Sequence, residues 1–119
     1  MLLQTLPRAE EFTDPGMEME RRAVVRYLCD QEATYYALPH CRRRWARVRN
    51  ISMGGIGLIL DAPMEPSTAL VIEMKTLDSA TSLTLVARVV HATKQEEGSW
   101  IIGCKFLTRP REKDLLRLL

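Results

Sequence analysis

Two separated groups of residues have the types and spacing to do binding chemistry. The first is Arg21-Arg22-Ala23-Val24-Val25-Arg26, and the second is Asn50-Ile51-Ser52-Met53-Gly54-Gly55. A guanidinium is a planar fork that binds phosphate oxygens in pairs and stacks on flat rings. Arg22 and Arg26, four residues apart, come to the same side whether the chain is extended or turned. Asn50 and Ser52, two residues apart, share a face on a strand and offer an amide and a hydroxyl there. Gly54 and Gly55 permit close backbone approach where that strand ends. Such a set suits an anion with aromatic faces, such as a nucleotide.

The rest of the charge pattern agrees. The net charge is only +2, yet Arg21, Arg22, Arg26, Arg42, Arg43, Arg44, Arg47 and Arg49 lie in one stretch without a lysine. The acids among them are Asp30 and Glu32. Arg42 to Arg44 read equally as binding groups and as a solvated basic face. With 119 residues, 46% of them hydrophobic, the chain can bury one core. No apolar run reaches the ~20 residues that span a bilayer. The N-terminus lacks the basic and apolar regions of a secretory signal. Cys29, Cys41 and Cys104 lack metal-ligand spacing and suit a reducing cytoplasm; Cys29 and Cys104 read as small core residues. His40 and His91 are the only histidines and read as surface or strand-edge residues. With no paired carboxylates, nucleophile motif or metal set, the chain does not read as an enzyme, and no cofactor is expected.

The elements that must position these residues are mostly strands. Residues 1–19 read as a flexible tail, with a short helix over Ala9–Phe12, and residues 20–119 as the domain. Val24–Cys29 is rich in β-formers, and Thr34–Leu38 continues it or pairs with it. Trp45, Arg47 and Arg49 then alternate with Ala46, Val48 and Asn50, which puts the arginines on one face and the smaller residues on the other. Further strands are Ile56–Leu60, Ala69–Met74, Leu83–His91 and Trp100–Phe106, with a turn over Gln95–Ser99 joining the last two. After Pro110 the leucines at 115, 116, 118 and 119 suggest a helix of about three turns that covers the β structure or a partner chain. The fold class is all-β: a small antiparallel barrel of six or so strands with a terminal helix.

Taken in order, these motifs resemble those of the PilZ domain family over about residues 20–119. Arg22 and Arg26 match its Arg-x-x-x-Arg. Asn50, Ser52 and Gly55 match its Asp/Asn-x-Ser-x-x-Gly. Arg88-Val89-Val90, a turn, and Ile102-Gly103-Cys104-Lys105-Phe106 are similar to its closing hairpin. The resemblance implies a six-stranded split β-barrel with a C-terminal helix. It further implies a cytoplasmic receptor for the bacterial second messenger cyclic di-GMP. By the same resemblance, Arg21, Arg22, Arg26, Asn50, Ser52 and Gly55 are the ligand-binding residues. The connection from Arg26 to Asn50, with Tyr35-Tyr36 and Pro39-His40-Cys41, departs from the family pattern.

The ligand so implied fits the residues. Guanine exposes O6 and N7 as paired acceptors for an arginine fork. Asn50 and Ser52 could serve its N1–H and N2 donors or a phosphate oxygen. Arg21, just before the first motif arginine, implies by the resemblance a stacked ligand dimer. Arg47 or Arg49 could add electrostatic support. A mechanism follows as a hypothesis: the ligand draws the arginine segment over the Asn50–Ser52 surface, and the newly ordered face engages a separate effector protein. Motility, adhesion and exopolysaccharide output are the processes the resemblance suggests. Two other readings stand beside this one. One is a PilZ-like adaptor that docks proteins without nucleotide. The other is a small nucleic-acid-binding barrel using the arginines with Trp45, Tyr35 and Tyr36; 6% aromatics and a nearly balanced charge argue against it.

Overall fold

A computed structural model describes residues 9–12, 24–78 and 81–119, with side chains from residue 27 onward. Among the described residues seven strands and one helix follow in chain order: β1 (Ala9–Phe12), β2 (Val24–Ala37), β3 (Arg44–Ile51), β4 (Gly55–Leu60), β5 (Ala69–Lys75), β6 (Ser82–Lys94), β7 (Trp100–Phe106) and α1 (Glu112–Leu116). Each pairing is antiparallel. The sheet runs β1-β2-β3-β4-β7-β6-β5, and β5 pairs back onto β2. Six strands therefore close on themselves as a barrel, which removes free edges from the ring.

Closure depends on the length of β2. Its second half pairs with β3 on one side and with β5 on the other, from Thr34↔Glu73 to Ala37↔Leu70. Its first half pairs with β1, from Ala9↔Tyr27 to Phe12↔Val24. The two segments expected as separate strands are thus one, with a register shift between Leu28 and Gln31. Ala9–Phe12, expected as a short helix, is a strand. Four residues cannot meet the cost of helix nucleation, whereas the edge of β2 supplies their backbone partners.

Period-two alternation fills the interior. Leu70, Ile72 and Met74 of β5, Leu85, Ala87 and Val89 of β6, and Ile56, Leu58 and Leu60 of β4 all point inward and are buried. They meet Ala33 and Tyr35 of β2 and Ile102, Cys104 and Phe106 of β7. Each large aliphatic side chain so buried contributes about 1.5–3 kcal/mol. Cys29 and Cys104 are free thiols of this core, as their place in the strand pattern suggests.

The C-terminal helix is shorter than expected: α1 covers five residues, followed by a turn. Its leucines still cap the barrel, because Leu115 and Leu118 are buried while Leu116 stays exposed. Tertiary bonds hold the segment in place of further helical turns. The Leu77 amide donates to the Arg117 carbonyl at 3.0 Å, and Gln31 Nε2 donates to the Leu118 carbonyl. Among the described residues, no helix is long and apolar enough to cross a membrane.

Candidate functional site

Strict alternation along β3 would send Asn50 inward with Ala46 and Val48. The register prevents this. Pairing passes from Arg47↔Ile59 and Val48↔Leu58 to Asn50↔Gly57 and Ile51↔Ile56, so Arg49 is an extra residue, a β-bulge. Beyond it the faces exchange. Ile51 enters the core, fully buried, and Asn50 joins the outer face that carries the arginines. Its amide lies over Gly57, where a β-carbon would meet Asn50 Oδ1 at 2.8 Å.

A second bulge does the same on the other side of the face. In β6 the pairing passes from Val89↔Cys104 to His91↔Gly103, leaving Val90 extra. His91 is exposed, and its ring lies over Gly103, where a β-carbon would meet Nε2 at 2.4 Å. Leu28, Asn50, Gly57, Gly103 and His91 consequently stand in register across five adjacent strands. From Asn50 to His91 this row spans three strand spacings, roughly 14 Å. The two middle residues of the row carry no side chain of their own, so the planar amide and the planar imidazole cover their backbone.

The next outward row holds Gly55, Lys105 and Arg88 in register across β4, β7 and β6. Lys105 and Arg88 are exposed and directly opposite, an arrangement that costs free energy through like-charge repulsion. Neither has an ion-pair partner among the described residues. An anion resting on this face would relieve that repulsion.

Between β3 and β4 the chain turns on Ser52. Its amide donates to the Gly55 carbonyl at 2.9 Å. Its Oγ accepts from the Gly54 and Gly55 amides, each at 3.2 Å. Ser52 is 1% exposed and Asn50 8%, so the serine hydroxyl is engaged with the turn. Gly55 has a packing reason of its own: a β-carbon there would sit 2.2 Å from the carbonyl oxygen of Cys104.

Of the residues singled out in the sequence, Asn50, Ser52 and Gly55 are thus brought together at one corner of the face. Arg26 lies on β2 with its backbone opposite Glu10 of β1. Arg21 and Arg22 lie outside the described residues. Other arginines have local roles. Arg43 pairs with Glu73 and sits 5.9 Å above the Tyr36 ring, tying the β2–β3 connection to β5. Arg47 pairs with Asp30 at 3.2 Å. Gly57, Gly103, His91, Lys105 and Arg88 were not read as site residues from the sequence. Glycines inside strands do signal close approach, but the bulges that align these five have no compositional mark. Among the described residues no group of His, Cys, Asp and Glu could hold a metal ion.

Comparisons with known proteins bear on the whole chain. The family model described as PilZ domain matches residues 18–119. A search of curated proteins gives no match. Among solved structures, the Bacillus subtilis inhibitor of motility MotI/DgrA is similar with a TM-score of 0.60 and 12% identity, over 94% of this chain and 61% of that one. MrkH of K. pneumonia in its apo state has a TM-score of 0.56 and 16% identity, over 90% and 48%. The MrkH–c-di-GMP complex has a TM-score of 0.52 and 14% identity, over 95% and 60%. The chain spans about half to three fifths of the length of these structures.

Proposed function

The chain belongs to the PilZ domain family, and from that premise we propose that it is a receptor for cyclic di-GMP that signals to a separate protein. The observation that carries this reading is the outer face itself. Asn50 and His91 lie flat on the glycine backbone of adjacent strands and present a planar amide and a planar imidazole as one strip, and Lys105 and Arg88, without ion-pair partners among the described residues, run beside them. The ligand has flat bases and two phosphates. A flat base stacks on a planar side chain, and phosphates are drawn to cations. That one solved structure of similar fold is a MrkH–c-di-GMP complex supports the choice of ligand.

In this proposal Arg22 and Arg26 fork onto guanine edges and phosphates, and Arg21 adds the contact that admits a stacked ligand dimer. Asn50 meets a base edge. Ser52 and Gly55 act through the turn they shape, which holds Asn50 beside the strip. Lys105 and Arg88 neutralise phosphate, and His91 floors the second base. Ligand binding orders the N-terminal arginine segment over this face, and the ordered surface engages the effector.

Calorimetric titration of cyclic di-GMP into the wild type, Arg22→Ala and Arg88→Ala tests the reading. Micromolar or tighter binding, lost with Arg22→Ala and weakened with Arg88→Ala, is expected. Two ligands per chain in the wild type and one in Arg21→Ala would support the stacked dimer. Absence of heat and of competition in the wild type would overturn the receptor reading. Unchanged protease protection of residues 1–26 at saturating ligand would overturn the ordering step alone.

A further inference from the structure

Two residues further along β4 from Gly57, the outer face changes character. A cleft of about 820 Å³ opens there. The side chains of Trp45 and Ile59 give it an apolar surface, with the strand segments at Ala46 and Leu60 behind them, and Glu32, Asp61 and Glu97 stand at its edge. Trp45 is 72% exposed, far more than an aromatic of that size needs for packing. Among the described residues Arg47 is the one cation lining the cleft, and its guanidinium is already held by Asp30 at 3.2 Å. The loop from β6 to β7 overhangs the cleft with Glu97, Gly98 and Ser99. Gly98 holds a φ of 102° there, a conformation natural to glycine.

The chain as a whole is cationic, so three carboxylates around an exposed indole set this patch apart. An anionic nucleotide is repelled from it. A cation is drawn in by the carboxylates and can rest on the indole face, while the half-buried Ile59 side chain accepts an apolar neighbour. Tryptophan is enriched among the few residues that carry most of the binding energy of protein interfaces.

We propose that this cleft docks a partner protein through a short segment in which arginine or lysine alternates with leucine-like side chains. The site is chemically opposite to the cationic glycine strip beside it, and it does not depend on what that strip binds. Its closeness to the strip, about 7 Å per two residues of β4, gives a ligand on the one access to a partner on the other.

The test uses a defined probe on the full chain. ¹⁵N spectra are recorded while the peptide acetyl-Leu-Arg-Leu-Arg-Leu-amide is added, and again with its glutamate counterpart. The basic peptide should shift the Trp45 indole N–H and the Asp61 and Gly98 amides, and bind at least roughly tenfold more tightly than the acidic one. Trp45→Ala and the double variant Glu32→Lys/Glu97→Lys should each weaken it by a similar factor. All three side chains lie at the surface, and unchanged spectra elsewhere report the fold. Equal binding of the two peptides would overturn the proposal, as would shifts scattered over the barrel. So would Trp45-dependent dimerisation in sedimentation, which would assign the cleft to a second copy of the chain.

Discussion

Three ring atoms of His91, namely Nε2, Cε1 and Cδ2, fall within 3.1 Å of the place a β-carbon on Gly103 would take. The imidazole therefore occupies the space that glycine leaves. The same holds for Asn50 over Gly57. The glycines serve the face by what they lack, and the two bulges bring the covering side chains into line with them.

Alanine at two of the glycines should separate folding from binding. At Gly103 the obstacle is the far end of an exposed side chain, which can swing away. Gly103→Ala should change the free energy of unfolding by less than about 1 kcal/mol, while cyclic di-GMP affinity falls several-fold as the imidazole leaves the strip. At Gly55 the obstacle is the Cys104 carbonyl at 2.2 Å, which belongs to the β4–β7 ladder. Gly55→Ala should cost about 1–3 kcal/mol. Urea unfolding and calorimetry on both variants would check this; equal stabilities would refute the packing role of Gly55.

Ser52→Ala should act through the turn. The hydroxyl accepts from two amides, those of Gly54 and Gly55, and Gly55 is buried. Leaving a buried donor unpaired costs about 1–3 kcal/mol. Faster amide exchange at Gly54 and Gly55 should accompany the loss. Reduced affinity with unchanged exchange and stability would mean that Ser52 serves the ligand directly.

The barrel was legible because its strands obey period two. In β5 the buried Leu70, Ile72 and Met74 alternate with Val71, Glu73 and Lys75, and six such runs separated by turns point to an all-β sandwich or barrel. The grouping of Asn50, Ser52 and Gly55 at one corner was legible, because types and spacing survive in a short motif. The rest of the face was not. A bulge is a register property between two strands, and Val48-Arg49-Asn50 looks like uninterrupted alternation until β4 is set beside it. Parity read along β3 alone therefore put Asn50 on the face opposite the arginines, with Ala46 and Val48. His91, Lys105 and Arg88 belong to the face only through pairing with distant residues. The helix came out too long because four leucines carried the periodicity, while tertiary bonds to Arg117 and Leu118 decide where it ends.

Tyr35 offers a test of the core. Its ring is 1% exposed, and its hydroxyl makes no hydrogen bond of ordinary geometry among the described residues, although the Arg44 guanidinium is near enough to act on it. Burial pushes the phenol pKa up from its ordinary value. Tyr35→Phe removes a buried polar group and keeps the ring, so stability should stay level or rise by up to about 1 kcal/mol. Thermal and urea unfolding would show this. A loss of more than that would reveal a bond to the hydroxyl.

The thiols give a pH dependence with a definite sign. Burial raises Cys104 from 9.0 to about 12 and Cys29 from 9.0 to about 11. The fold thus favours the neutral thiols, and the unfolded chain releases these protons first. Below pH 9 both states keep them, and their contribution to stability is fully present. As pH rises from 9 toward 12 the unfolded state ionises and that contribution is lost. Urea midpoints should therefore be insensitive to these thiols below pH 9 and should fall above it, with a smaller fall in Cys104→Ala measured against its own neutral-pH midpoint. The same burial governs reactivity, because the thiolate is the nucleophile. In the native state a disulfide reagent such as dithionitrobenzoate should label exposed Cys41 and leave Cys29 and Cys104 untouched until the barrel opens. Rapid native labelling of all three would mean that the β2 and β7 walls open far more readily than a closed barrel should.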